Sequence, residues 1–194
     1  MKNILLSYLF VLVVGVVMSA CTSTLQENFD TNEDELVILQ STEPTCIFTD
    51  TELKNVEYQS EWIDSGTVKL TNGEYRVQAA PGSASEIIIF LTDHAACGKL
   101  EEQDAMAVVL VSSGGGSGSF YDLAVLMETD GRPENVAIHS LGDRVMVNSL
   151  VIENDEIVLD MVTHGPDDPM CCPTQPVVKI YKLKGNEIIE INGP

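Results

Sequence analysis

A chain of 194 residues in which 30 acidic side chains face only 10 basic ones, for a net charge of −20, repels phosphate backbones and anionic head groups. That excludes nucleic acid as a partner and excludes a basic membrane-binding surface. The apolar fraction of 44%, rich in Val, Ile and Leu well beyond the N-terminus, excludes a disordered chain and leaves room for one domain of ordinary size.

The first element is an address. Lys2 precedes an apolar run from Ile4 to Met18, and small residues follow at Ser19 and Ala20. This is the pattern of a secretory signal, and the run is short of the ~20 apolar residues that a membrane span needs. Met18-Ser19-Ala20-Cys21 resembles the bacterial lipobox. The resemblance implies that the Cys21 thiol takes a diacylglyceryl group and becomes the new N-terminus, and two or more acyl chains suffice for stable anchoring. Residues 1–20 are thus expected to be a lipoprotein signal peptide. Residues 21–45 would be the lipid attachment and an acidic flexible tether, from Thr22-Ser23-Thr24 through Gln26–Glu35. The expected location is the cell envelope, with the lipid as the membrane contact. By resemblance to known sorting rules, Thr22 after the cysteine allows delivery to the outer membrane where a cell has two membranes. In a cell with one, the outer face of the plasma membrane is implied.

Residues 46–194 read as a single, mainly β domain. Asp50–Tyr58 begins with a plausible N-cap and predicts a short helix or helical turn. Thr67–Leu70 and Tyr75–Gln78 flank Asn72-Gly73, a strong hairpin signal. Glu86–Leu91 is a continuous apolar run, which predicts a strand buried on both faces. Ala105–Val111 and Phe120–Met127 flank a glycine loop, Gly114–Ser119, and predict an antiparallel pair. Asp130-Gly131, Asn154-Asp155 and Gly185-Asn186 mark turns between the remaining strands, which lie in Asn135–His139, Val145–Ile152, Glu156–Val162, Val177–Leu183 and Glu187–Ile191. Short connections and the lack of a long amphipathic helix predict antiparallel meanders with at most one or two short helices.

Few residues carry chemistry in a recognisable pattern. His164, Asp167, Asp168, Cys171 and Cys172 form the densest group of metal-ligating types. Pro166, Pro169 and Pro173 stiffen the same stretch, and its spacing fits no standard zinc pattern. The leading expectation is a structural loop with oxidised cysteines, with a metal-binding or redox module as the alternative. A nucleophile pair of Cys172 with His164 or His139 needs a thiolate, which an exported chain with neighbouring cysteines disfavours. His94 and His139 read as ordinary residues at strand ends. Tyr58, Trp62, Phe120 and Tyr121 read as core before they read as a binding surface. The glycine loop lacks the Lys-Ser/Thr ending of a phosphate loop. No catalytic residue and no cofactor is assigned.

The stretch His164-Gly165-Pro166-Asp167-Asp168-Pro169-Met170-Cys171-Cys172-Pro173-Thr174-Gln175, with Pro81–Ser85 and Gly114–Leu123, resembles a group of exported proteins of cyanobacterial and Chloroflexi type. Some of those carry an added META-type domain. The resemblance spans about Leu53 to Leu183 and brings no biochemical role with it. Where those relatives show an acidic, glycine-containing loop of calcium-binding type, this chain has Gly98–Asp104, with Lys99 and Leu100 in place of ligands. Four cysteines outside Cys21 allow three pairings. Adjacency and Pro173 favour Cys171 with Cys172, and the resemblance implies the same, because those proteins keep the Cys-Cys-Pro-Thr loop without counterparts of Cys46 and Cys97. Cys46 would then join Cys97. The expected function is that of a non-enzymatic binding or structural domain at the envelope, with an envelope protein or ligand as partner.

Overall fold

The computed structural model describes residues 46–191. The expected signal peptide and tether, with Cys21, lie outside the described residues. Among the described ones a single four-residue helix, α1 (Asp50–Leu53), is followed only by strands: β1 (Glu57–Gln59), β2 (Thr67–Lys69), β3 (Glu74–Gln78), β4 (Glu86–Leu100), β5 (Gln103–Ser113), β6 (Phe120–Thr129), β7 (Arg132–Asp143), β8 (Met146–Glu153), β9 (Glu156–Thr163), β10 (Gln175–Lys184) and β11 (Glu187–Ile191). The protein is mainly β and antiparallel throughout, as the strand signals predicted. Strands β3-β4-β5-β6-β7 form a five-stranded meander, β8-β9-β10-β11 a four-stranded one, and β1-β2 a small hairpin.

Alternation along β5 and β6 sets the layers. Ala105, Ala107, Val109, Leu123 and Val125 face the four-stranded sheet and pack against Ile157, Leu159, Met161, Tyr181 and Leu183. Met106, Val108, Leu110, Ala124 and Leu126 point the other way, against Phe48, Leu53, Val56, Tyr58, Val68 and Leu70 of the N-terminal segment. The five-stranded sheet is therefore covered on both faces, which is why β5 and β6 read as unbroken apolar runs. Each fully buried Leu, Ile or Val contributes about 1.5–3 kcal/mol, so both layers are needed. The run Glu86–Leu91 is different. It was expected to be buried on both faces, but of its residues only Ile89 is buried, and Phe90 is 41% exposed. It lies in the first half of a much longer strand, next to the edge strand β3, where one face has little cover.

Tight turns join the strands. Asn72-Gly73, Glu101-Glu102, Asp130-Gly131 and Asn154-Asp155 all hold both residues at positive φ, the hairpin geometry that matches strand twist. Asn72-Gly73 turns as predicted and leaves the Thr71–Glu74 bridge, but its flanking strands do not pair further. β2 joins β1, and β3 joins β4. Leu70 is drawn into the outer layer by burial, and this outweighs the local hairpin preference. Likewise the predicted helix stops at Leu53. Thr49 and Glu52 form its capping box, and β1 claims the residues from Glu57 on. A bulge between Leu91 and Ala95 lets β4 leave β3 and approach β8. There Gly98 is required, since a Cβ would lie 2.6 Å from the Ile152 side chain.

Candidate functional site

Two places compete for the description of a site. The first is the loop between β9 and β10, where the conspicuous residue types lie. Asp168 is the organiser of this loop. Its Oδ2 accepts from the Gly165 N–H at 2.8 Å and the Thr174 N–H at 2.7 Å, and its Oδ1 accepts from the Thr174 hydroxyl at 2.7 Å. These bonds, the Gly165 amide first, hold its carboxyl below the usual value. Both oxygens are thus occupied by the loop's own donors. Cys171 and Cys172 sit at disulfide distance from each other and are exposed, as is Asp167; His164 is half-buried. Among the described residues, no three His, Cys, Asp or Glu side chains are grouped as a metal site requires.

Arg144 fastens this loop to the rest of the molecule. It sits at positive φ in the β7–β8 turn and pairs with Asp143. Its guanidinium also donates to the Met170 carbonyl at 2.6 Å and to the Ser117 carbonyl of the glycine loop. The Ser119 N–H returns to Asp143 Oδ1 at 3.0 Å. One half-buried cation therefore holds the glycine loop, the β7–β8 turn and the proline-rich loop together. The other cysteine pair, Cys46 and Cys97, is also at disulfide distance, with Cα atoms 5.2 Å apart. Cys97 lies within β4, opposite Met106, so the bond fixes the start of the domain to a strand and not to a loop.

The histidines lie away from the strand ends where they were expected, whereas Tyr58 is core as expected. His94 is at the β4 bulge and His139 lies inside β7, because both strands run further than the apolar pattern indicates. The His139 ring is 5.0 Å from that of Tyr181, and burial lowers its pKa. Tyr58 is core, its hydroxyl donating to the Leu53 carbonyl at 2.9 Å. Trp62 and Phe120 pack with ring centroids 4.7 Å apart, and both are half-buried.

The second place is an open cleft of about 760 Å³ on the outer face. One wall is α1 with β1 and β2; the other is the β6–β7 turn and the start of β7. Glu52, Glu57 and Glu134 line it, together with Lys69 and Arg132. Its closed end is built by Asn135, which is buried. The Asn135 Oδ1 accepts from the Gln59 N–H at 2.8 Å, its Nδ2 donates to the Val125 and Ala137 carbonyls, and the Gln59 side chain donates to the Asn135 carbonyl at 3.2 Å. One side chain thus splices β1 onto the edge of the five-stranded sheet without a backbone ladder.

On the same face Asp122 lies opposite Leu110 and Ser140 in the register of β5, β6 and β7. Burial first, then the nearby Glu61 carboxylate, raise its pKa to about 6 against the opposing pull of a bond from Ser140. Sequence reading singled out none of Asn135, Asp122, Glu61 or Arg144. Carboxylates are too numerous here for one to stand out, and nothing in the sequence marks the Asn that opens the Asn135–His139 strand as a buried splice.

No protein-family model, curated protein or solved structure matches this chain.

Proposed function

We propose that this chain is an exported, lipid-anchored envelope protein whose folded part acts by binding and not by catalysis. The anchor rests on sequence alone: Lys2, the Ile4–Met18 run and the resemblance of Met18-Ser19-Ala20-Cys21 to a lipobox. The binding half rests on one observation, the cleft between β1 and β7. A preformed concavity of this size, rimmed by a few polar and charged groups, is the usual form of a ligand site. The residues suited to chemistry are otherwise engaged, Cys171 with Cys172 and Asp168 with Gly165 and Thr174, which favours a structural role for that loop.

Two measurements test the two halves separately. Labelled palmitate should enter the wild type and partition it into detergent, and Cys21→Ala should lose both; equal partitioning of the two sinks the anchor. Amide shifts mapped by NMR against a mixed set of fragments and peptides should cluster at Glu57–Gln59 and Arg132–Asn135. Shifts confined to residues 164–174, or none at all, would overturn the binding reading of the cleft.

A further inference from the structure

We infer that the cleft is a strand-addition site, and that its ligand is an extended peptide carrying basic side chains. This rests on the binding reading above and names the ligand class for that same site.

Register decides which backbone groups face the gap. The Leu70 N–H donates to the Val56 carbonyl at 3.1 Å, and the Ser60 N–H to the Gly66 carbonyl at 2.9 Å. With Tyr58 opposite Val68, the even-numbered residues of this stretch turn their amides toward β2. Glu57 and Gln59 therefore turn theirs outward, into the cleft. The Gln59 N–H is taken by Asn135, which confirms the parity. Among the described strands only β2 ladders onto β1, so no strand pairs with the outward edge at Glu57.

The opposite wall is complementary in a restricted way. β7 is the edge of its sheet, and Thr129–Arg132 closes a two-residue hairpin, so Pro133 turns its backbone away from β6. Proline has no N–H, so at Pro133 this wall offers a carbonyl and no backbone donor. β7 thus lacks the donor at Pro133 with which it would ladder onto β1, and the two edges part beyond the Asn135 splice. A third strand laid against β1 finds both a donor and an acceptor at Glu57, and can offer an N–H to the Pro133 carbonyl across the gap. This is β-augmentation, in which backbone bonds supply affinity and side chains supply selectivity. Charge selects the side chains. Glu52, Glu57 and Glu134 outnumber Lys69 and Arg132 on the walls, and the chain carries −20 overall. A strand with Lys or Arg approaches favourably, whereas an acidic one is repelled.

The test is fluorescence anisotropy on the full chain in detergent micelles at physiological salt, with three labelled heptapeptides. One alternates Lys and Val, one alternates Glu and Val, and the third is the Lys–Val sequence with N-methylated amides. The Lys–Val peptide should bind roughly tenfold or more tightly than either of the others. A Glu57→Lys, Glu134→Lys double variant should lose roughly tenfold in that affinity while its melting curve is retained. Equal binding of the Lys–Val and N-methylated peptides would overturn strand addition, as would an unaffected double variant or no binding at millimolar peptide. Concentration-dependent dimerisation that the Lys–Val peptide does not compete away would also overturn it, making a second copy the occupant. If fragments shift the Glu57 and Asn135 amides while no peptide does, this inference falls and the binding reading stands; if nothing shifts them, both fall.

Discussion

The inner face of the five-stranded sheet is covered by a second hydrogen-bonded sheet, its outer face by a one-turn helix and two three-residue strands. The inner layer is almost wholly apolar, built from Val, Leu, Ile, Met and Ala with Tyr181 among them. The outer layer has fewer buried large side chains and fewer backbone partners to satisfy it. It closes with side chains instead, Asn135 for β1 and Tyr58 for α1, and it holds a half-buried carboxylate and an open cleft. A cover too short to ladder along the whole sheet leaves polar groups facing one another across the cleft, and the proposed binding rests on those groups.

The largest effect should come from the residue that joins the outer cover to the sheet. Asn135→Ala leaves the Gln59 N–H and the Val125 and Ala137 carbonyls without their side-chain partner. A loss of about 3 kcal/mol is expected from stranding several buried groups at once, read by urea unfolding. Asn135→Asp should keep the bond to Gln59 and still lose most of that stability, because a carboxylate would face the two carbonyls. If either variant unfolds like the wild type, the cover is held by apolar packing alone and the contrast between the two faces disappears.

The half-buried carboxylate of Asp122 gives an effect of opposite sign. The folded state binds the Asp122 proton more tightly than the unfolded chain does, since its pKa rises from 3.8 to about 6. Stability from this group is therefore present below pH 3.8 and is lost as pH rises through 6. Asp122→Asn should stabilise the protein above pH 6 by about 2 kcal/mol, after discounting for partial solvent screening, and should do little near pH 4. A pH series of chemical melts checks this. A variant that is destabilised at pH 8 would mean that the carboxylate makes a bond worth more than its burial costs.

The inner layer was the legible part of the sequence. β5, β6, β9 and β10 are long runs with turn residues between them, and two-residue turns such as Asp130-Gly131 and Asn154-Asp155 announce themselves. Glu101-Glu102 does not, because nothing in two glutamates favours positive φ. That turn is supported from outside, by Asp155 accepting from the Glu101 N–H and by Glu101 accepting from the Gly185 N–H. The outer cover was misread for a related reason. Asn72-Gly73 specifies a turn, but long-range burial of Val68 and Leu70 decides which strand pairs with which. The loop from His164 to Cys172 drew attention because its residue types are rare. Asp168 and the cysteine pair are engaged within the loop itself, whereas the cleft proposed to bind is made of common residues set at a sheet edge, a position that composition does not encode.

The smallest expected effect tests the inner layer at a buried hydroxyl that has no partner among the described residues. The Tyr181 side chain is fully buried, and no described group bonds its hydroxyl. Burying a hydroxyl without a partner costs about 1–3 kcal/mol, partly recovered by the contacts its oxygen makes. Tyr181→Phe keeps the ring, and with it the contact with His139 at 5.0 Å, while removing only the oxygen. A gain of about 1 kcal/mol in urea unfolding is expected, small against the loss at Asn135 and opposite to it in sign. The comparison is informative because the two residues differ in one respect. Both carry a buried polar group, but only Asn135 has its partners in place, so deleting the group should help in one layer and harm in the other. A loss on Tyr181→Phe would show that the inner layer, too, holds a satisfied polar group, and that the two faces differ in amount of cover and not in kind.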